Sequence, residues 1–517
     1  MSEKKEFGDF QTPINLAERV VALVARIHGK PDVIIEPTAG LGAFLSASYN
    51  YWGEKSSYFG YEVNQAYVEH AQKSLIDTEI QIYHRDFFSE DWRKNLTYPS
   101  ASKVLVIGNP PWVTNSDLGL LGSGNLPEKK NFMGLRGMDA RTGKSNFDIA
   151  EWMLLRLIEA LPESGGLSML CKTMTARKVL KHLWKNGCGR KDSKLFHIDA
   201  KSEFNVAVDA CLFYVSGKSC DKRLATVYSG LDLDSEEKSF GYIDGDLVSD
   251  ISGYEASKHI DGGSNSHTWR SGVKHDASKV MEFTIDGDSM TNGLGETVDI
   301  EDDYVYPLLK SSDLGNGRVA IRKAVLIPQK HTGEDTDDIS SRAPATWNYL
   351  LSHAKVLDAR RSSIYKNRPR FSIFGIGPYS FSPWKIAISG LYKKISFSVL
   401  GPSNGRPIMV DDTCYSIPCF SEGEARLIHD LLSSEIAKQF LQSLIFMDAK
   451  RPITVDVLKR VSLVELAKSL GRLEELKHYI QEDSTEIDFT CEPQMRLVME
   501  PQGRYRTRRS SQRLGCA

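Results

Sequence analysis

Val104-Leu105-Val106-Ile107-Gly108-Asn109-Pro110-Pro111-Trp112 is the stretch on which the reading of this chain turns. Its first five residues are a short, β-branched apolar run bounded by Gly and Pro, the signature of a buried strand. The two prolines fix φ, and each pushes the residue before it into an extended conformation. The backbone carbonyls of Asn109 and Pro110 are therefore expected to point outward at the strand's carboxyl end, where open α/β sheets hold their ligands. Asn109 adds a side-chain carbonyl, and Trp112 adds a flat aromatic face. Acceptors beside a stacking plane suit a planar group that carries an exocyclic amine. The bland alternative is a Pro-rich turn with a tryptophan in the core.

The residues ahead of this corner weigh against the bland alternative. Gln11-Thr12-Pro13 predicts a helix over Ile14–Ile27, with Thr12 as its N-cap and Pro13 at its first position. A strand follows over Asp32–Glu36, then a small-residue loop, Pro37-Thr38-Ala39-Gly40-Leu41-Gly42, that enters a helix. Gly40 and Gly42 allow a tight turn and a close backbone approach to a ligand. The next strand, Tyr58–Tyr61, ends in Glu62. That carboxylate lies about 20 residues past the glycines, where nucleoside-binding sheets place an acid on ribose hydroxyls. A third strand, Ile80–Tyr83, leads to Asp86 and Phe87, an acceptor for an adenine amino group and an aromatic to cover the ring. One acid at a strand end is usually just solvated. A polar or acidic group at the end of each successive strand instead implies an adenosine-containing cofactor across the sheet edge.

No phosphate-binding loop accompanies these residues. GxGxxG is incomplete, because Leu45 stands where its third small residue belongs. Gly143-Lys144-Ser145 fails as a P-loop, since Gly137 is one residue too far upstream and no strand precedes it. Adenosine without phosphates points to S-adenosylmethionine.

Composition sets bounds on the rest. The chain has 517 residues, enough for two or three domains, and a formal net charge of -2, so any attraction to nucleic acid must be local. Its eight cysteines form no CxxC pair, and the Cys414/Cys419 spacing fits no zinc pattern, so no metal is expected. The first residues, MSEKKEFGDF, have no apolar signal core and no run reaches membrane-spanning length. A soluble, cytoplasmic monomer is the expectation, with no membrane partner.

QTP, EPTAGLGAFL, YEVN, RDFF and GNPPW, in that order, resemble the motif series of the gamma-class DNA amino-methyltransferases of bacterial restriction–modification systems. The resemblance covers roughly the first 220 residues and is specific as an ordered set. It implies an α/β fold: a Rossmann-like S-adenosylmethionine-dependent methyltransferase domain followed by a mixed α/β target-recognition domain. It also implies roles. Thr12 and Pro13 would hold the methionine end of the cofactor. Glu36, Thr38, Ala39, Gly40 and Gly42 would form the main cofactor loop. Glu62 would bind the ribose, Val63 would pack on the adenine, and Asp86 and Phe87 would hold it. Asn109, Pro110, Pro111 and Trp112 would receive the target base, and Phe204 would wall its pocket. Trp112 departs from the family's usual Tyr or Phe, which suggests a somewhat wider pocket.

The implied activity is methylation of the N6 amino group of an adenine flipped out of double-stranded DNA, with a separate restriction endonuclease as a possible partner. Cytosine N4 methylation remains an alternative, and so does an inactive DNA-binding protein on a methyltransferase fold. The domains are read as 1–225 catalytic, 226–300 connecting, 301–481 target recognition and 482–517 a polar basic tail. The Gly-rich loop from Asn115 to Ser145 starts beside the corner and carries Lys129, Lys130, Arg136 and Lys144 as candidate backbone contacts. Phe147 and Asp148 stand out in the helix that follows it. His353–Lys394 interleaves cations, including Lys385, with aromatics, and Glu424–Phe446 reads as one helix. Lys366, Arg368, Arg370, Lys393, Lys394, Lys450 and Arg451 are the candidate DNA contacts.

Overall fold

The computed structural model describes residues 10–99, 102–113, 148–190, 192–263 and 267–482. The loop from Asn115 to Ser145, Phe147 and the tail beyond residue 482 lie outside the described residues.

Helix α1 (Ile14–His28) buries Leu16, Val20, Val21 and Val24, the stripe its apolar spacing predicts. Its N-cap is Pro13 in an extended conformation, with no side-chain cap. Thr12 is therefore not the cap expected from sequence; its hydroxyl is used elsewhere, as described below. The chain then alternates strand and helix: β1 (Val33–Glu36), α2 (Ala43–Trp52), β2 (Ser57–Glu62), α3 (Gln65–Ser74), β3 (Gln81–His84) and β4 (Val104–Gly108). After the undescribed segment come α4 (Ile149–Ala160), β5 (Gly166–Lys172), α5 (Thr173–Lys185), β6 (Ser193–Ile198) and β7 (Ala210–Ser216).

These strands belong to one ten-stranded sheet. Its order is β10-β9-β8-β6-β7-β5-β4-β1-β2-β3, where β8 is Leu224–Tyr228, β9 is Glu236–Ile243 and β10 is Asp246–Val248. Strands β1 to β5 pair in parallel, whereas β7 runs antiparallel to both β5 and β6. From β1 the chain moves outward to β2 and β3, then returns to place β4 on the other side of β1. That reversal makes the carboxyl ends of β1 and β4 a topological switch point, the crevice where such sheets bind ligands. Burial on both faces explains the unbroken apolar runs of β1 and β4. Ile34, Leu105 and Ile107 pack with α1 and α2 residues, whereas Ile35, Val104 and Val106 pack with Leu154, Leu180 and Trp184 of α4 and α5.

The stretch read as a connector from 226 departs from that reading at its start. Strands β8 to β10 extend the main sheet through Val248. Their alternating polar residues lie at a sheet edge, where one face needs no apolar cover. The described residues beyond Val248 include a five-stranded and a four-stranded sheet, the latter built on Trp384–Ser389 and Cys414–Cys419. Glu424–Phe446 is two helices, Glu422–Leu432 and Glu435–Leu444, because Ser434 caps the second by accepting from the Ala437 amide at 3.3 Å. No helix among the described residues is long and apolar enough to cross a membrane.

Candidate active site

Asn109 follows directly on β4 at the switch point. Its amide nitrogen donates to the Phe10 carbonyl at 3.0 Å and to the Thr12 hydroxyl at 3.3 Å. Its amide oxygen, Oδ1, is buried and has no hydrogen-bond partner among the described residues. Its backbone carbonyl accepts from the Thr38 hydroxyl at 3.3 Å. The expectation that this backbone carbonyl faces outward is thus corrected, and the open acceptor is the side-chain oxygen. Among the described residues, none donates to the carbonyl of Pro110.

Trp112 also differs from its sequence reading. Only 6% of it is exposed, so it is not an open stacking plane. Phe10 lies against the indole at 5.7 Å between ring centroids, tilted by 48°, and Phe204 meets it edge-on at 5.3 Å. Among the described residues the buried indole Nε1 has no partner. Phe204 thus packs on both Trp112 and Phe10 at the corner. Phe10 is an aromatic neighbour that sequence reasoning missed, because it precedes the QTP motif and carries no polar signature.

The glycine loop is braced from two sides. Gly40 and Gly42 have φ of 53° and 82°, a left-handed conformation that costs a side-chain-bearing residue about 1 kcal/mol or more. The Gly40 amide donates to Glu62 Oε2 at 2.7 Å, and the Asn64 amide donates to Glu62 Oε1 at 2.8 Å. Gln11 Oε1 accepts from the Leu41 amide at 3.1 Å, and a Cβ on Gly40 would stand 2.7 Å from that oxygen. Residues 10–12 thus form a strap that touches both the glycine loop and Asn109.

Glu36, at the end of β1, is buried and accepts from the Leu45 amide at 3.3 Å. Burial pushes its carboxyl well above the usual range; the Leu45 amide works in the opposite direction, and the Glu62 charge adds to the rise. Among the described residues no cation pairs with it. A buried carboxyl without a cation suits a ligand that carries a positive charge. Val63 is exposed at the same edge, available to an aromatic ring. The donor set therefore fits an adenosyl sulfonium with an amino-acid end. Asp86 Oδ1 accepts from the Phe88 amide at 3.0 Å and caps a short turn. Phe87 is buried against Trp92, with ring centroids 4.8 Å apart, so it is a core residue rather than an open cover for the adenine.

Beyond the tetrapeptide lies a second cluster. Lys172 Nζ, at the end of β5, donates to the Trp112 carbonyl at 2.9 Å and to Asp148 Oδ2 at 3.0 Å. The Thr175 hydroxyl donates to the same Asp148 oxygen at 3.3 Å, and Asp148 Oδ1 accepts from the Ala150 amide at 3.2 Å, capping α4. The Ile149 amide donates to the Val113 carbonyl at 3.1 Å. Asp148 stood out in the sequence; Lys172 and Thr175 did not.

The candidate DNA contacts fall into groups. Lys366, Lys393, Lys394 and Lys450 are exposed. Arg370 pairs with Asp358 at 2.8 Å, and Arg368 is half-buried over the Phe374 ring. Arg451 lies beside Tyr415 and opposes the upward push that burial gives the Tyr415 hydroxyl. A Cβ on Gly390, in the turn that carries Lys393 and Lys394, would lie 2.8 Å from the Tyr415 ring and 3.2 Å from the Ile453 carbonyl. Gly390 thus lies close to Tyr415 and Ile453, so the chain segments that carry the 393–394 and 450–451 pairs are neighbours. Lys385, in the same basic stretch, is buried and donates to the Ser382 carbonyl at 2.8 Å.

Comparison with known proteins accords with this geometry. The family model described as N-6 DNA Methylase matches residues 1–175. The type II methyltransferase M.NspV of Nostoc sp. (strain ATCC 29411 / PCC 7524) is 42% identical over 471 residues, spanning 90% of this chain and 98% of that protein. Among solved structures, the type IIL restriction-modification enzyme MmeI in complex with DNA aligns with a TM-score of 0.45 at 12% identity, over 92% of this chain and 75% of that one. The type IIG restriction endonuclease BpuSI aligns with a TM-score of 0.36 at 13% identity, over 90% of this chain and 60% of that one. The near-full-length relative and the family match assign the chain: it belongs to the N-6 DNA methylase family, among its S-adenosylmethionine-dependent type II methyltransferases.

Proposed function

We propose that this protein methylates the N6 amino group of an adenine that has swung out of duplex DNA. The observation that carries the reading is the Asn109 amide. Its nitrogen is held at two points by the strap and, among the described residues, its buried oxygen has no partner. A buried acceptor left unpaired costs about 1–3 kcal/mol, so its retention at a ligand crevice argues for a donor that arrives with the substrate.

S-adenosylmethionine supplies an electrophilic methyl group on a sulfonium. The Glu36 carboxylate would hold the cofactor's cationic end, Glu62 its ribose, and Val63 one face of its adenine. Thr12 and Pro13, placed by the strap, and Thr38 and Ala39 complete the walls. Extrusion of the base costs a few kcal/mol. Phe10, Trp112 and Phe204 give the extruded ring an apolar lining, and the Phe10 ring must yield for the base to lie on the indole. Asn109 Oδ1 would accept one amino hydrogen and the Pro110 carbonyl the other. Pro111 stiffens the turn that presents both. These bonds draw electron density toward the nitrogen and favour a pyramidal geometry, which frees its lone pair for attack. The proton then leaves a nitrogen that is already cationic, so no strong base is required beforehand. Positioning and preorganised dipoles would supply most of the acceleration.

The half of the chain after Val248 would read the DNA. Lys393, Lys394, Lys450 and Arg451, with Lys366, Arg368 and Arg370 on a separate turn, would neutralise phosphates. Asn109→Ala should lower methyl transfer to DNA by about 100-fold or more while cofactor affinity, read by calorimetry, changes little. Nucleoside mass spectrometry of the product should find N6-methyladenine. N4-methylcytosine, or near-normal turnover by the variant, would overturn the reading.

A further inference from the structure

Three backbone oxygens of the corner are taken by donors within the protein. The Asn109 carbonyl is taken by Thr38, the Val113 carbonyl by Ile149 and the Trp112 carbonyl by Lys172. Two of these bonds are local to the switch point or to α4. The third comes from a charged side chain on another strand. Lys172 is rigidly placed, since its residue pairs with Ala210 of β7 and the next amide, Thr173, donates to the Asp209 carbonyl at 3.0 Å. Its charge is balanced by Asp148, whose other oxygen caps α4. One ammonium thus ties together β5, the end of NPPW and the start of α4, on either side of residues 114–147.

We propose that Lys172 is a positioning residue for methyl transfer. By clamping the Trp112 carbonyl it fixes the rotation of the 112–113 peptide, and with it the indole and the two-proline turn that presents the Pro110 carbonyl. It acts through the corner and touches neither base nor methyl donor. A neutral donor would leave Asp148 as an unpaired, largely buried carboxylate, which explains why a cation stands here. The proposal rests on the acceptor reading of Asn109.

The test compares Lys172→Met, Lys172→Arg, Asp148→Asn and Asn109→Ala in the full chain, with plasmid DNA as substrate and labelled S-adenosylmethionine as donor. Lys172→Met should lower kcat about tenfold or more, with KM for DNA and cofactor Kd within about twofold of the parent. Lys172→Arg, which keeps the charge and a donor, should restore a large part of kcat. Asp148→Asn should lower kcat about threefold at unchanged cofactor affinity. An unchanged kcat in Lys172→Met overturns the proposal. So does a loss that tracks a lower Tm and weaker cofactor binding without rescue by arginine, since that marks a merely structural role. Should Lys172→Met fail to fold, Asp148→Asn decides alone, and an unchanged kcat in it overturns the proposal. Near-normal turnover in Asn109→Ala would sink the acceptor reading instead, whatever Lys172 does.

Discussion

Glu36 is held from water in the crevice between β1 and β4, and burial raises its carboxyl well above its usual range. The sign of the consequence follows from linkage. A folded-state value above the unfolded one means the folded protein binds the extra proton, so the stability contributed by this group is present at low pH and lost as pH rises through the raised value. Glu36→Gln removes that loss. The cofactor-free variant should melt higher than the parent, more so at pH 8 than at pH 5, and bind S-adenosylmethionine about tenfold or more weakly. Thermal melts and calorimetry at the two pH values check both halves; a lower melting temperature at pH 8 would show that Glu36 is structural. The acid was legible in the sequence because a strand end followed by small residues has few other uses. The fate of Asn109's two oxygens was not. Proline geometry predicts extended backbone but says nothing of Thr38, 71 residues away, which claims the backbone carbonyl and leaves the side chain as acceptor. Trp112 was misjudged for a related reason: an aromatic after two prolines reads the same whether or not a distant Phe10 covers it.

At the level of elements, the strand Trp384–Ser389 carries the clearest lesson. Lys385 lies in a basic, aromatic-rich stretch, yet the strand is central in its sheet and the lysine points into the core. Burial lowers its ammonium from 10.5 to about 7, with Cys419 acting weakly in the opposite direction. Between those values the unfolded chain binds the proton and the folded one does not, so stability rises with pH across that window and the full cost is present below it. Lys385→Met should therefore stabilise the protein by about 2 kcal/mol at pH 6 and by much less at pH 10, read by denaturant unfolding at each pH. An equal effect at both would mean that the lysine stays charged. The long helices and the apolar central strands were readable from periodicity because each is buried in a uniform way. Strands β8 to β10 were not, since an edge strand with polar residues on one face has the composition of a connector.

Across the whole molecule, the two halves meet at α5. Arg177 on that helix makes a bidentate pair with Asp448, at 2.7 and 2.5 Å, and its guanidinium lies 4.4 Å from the centre of the Phe446 ring. The same helix starts beside Lys172 and carries Thr175, so the corner and the carboxyl-terminal half share one rigid rod. Residues 271 positions apart in sequence cannot be paired by pattern, and nothing in the sequence singled out this contact. Loss of one partner from a largely buried pair typically costs about 3–5 kcal/mol. Arg177→Ala should lower stability by about 3 kcal/mol and raise KM for DNA several-fold while cofactor Kd stays put. Chemical denaturation and steady-state kinetics on plasmid DNA measure the two, and an unchanged KM would mean that the halves hold their relative placement without this clamp.

The strap formed by Phe10, Gln11 and Thr12 has a practical corollary. Because the Phe10 carbonyl holds the Asn109 amide nitrogen, anything that displaces Phe10 will also turn that amide. Because Gln11 in the same strap braces the glycine loop, an affinity tag or a fused reporter attached close before this segment should both slow turnover and weaken donor binding.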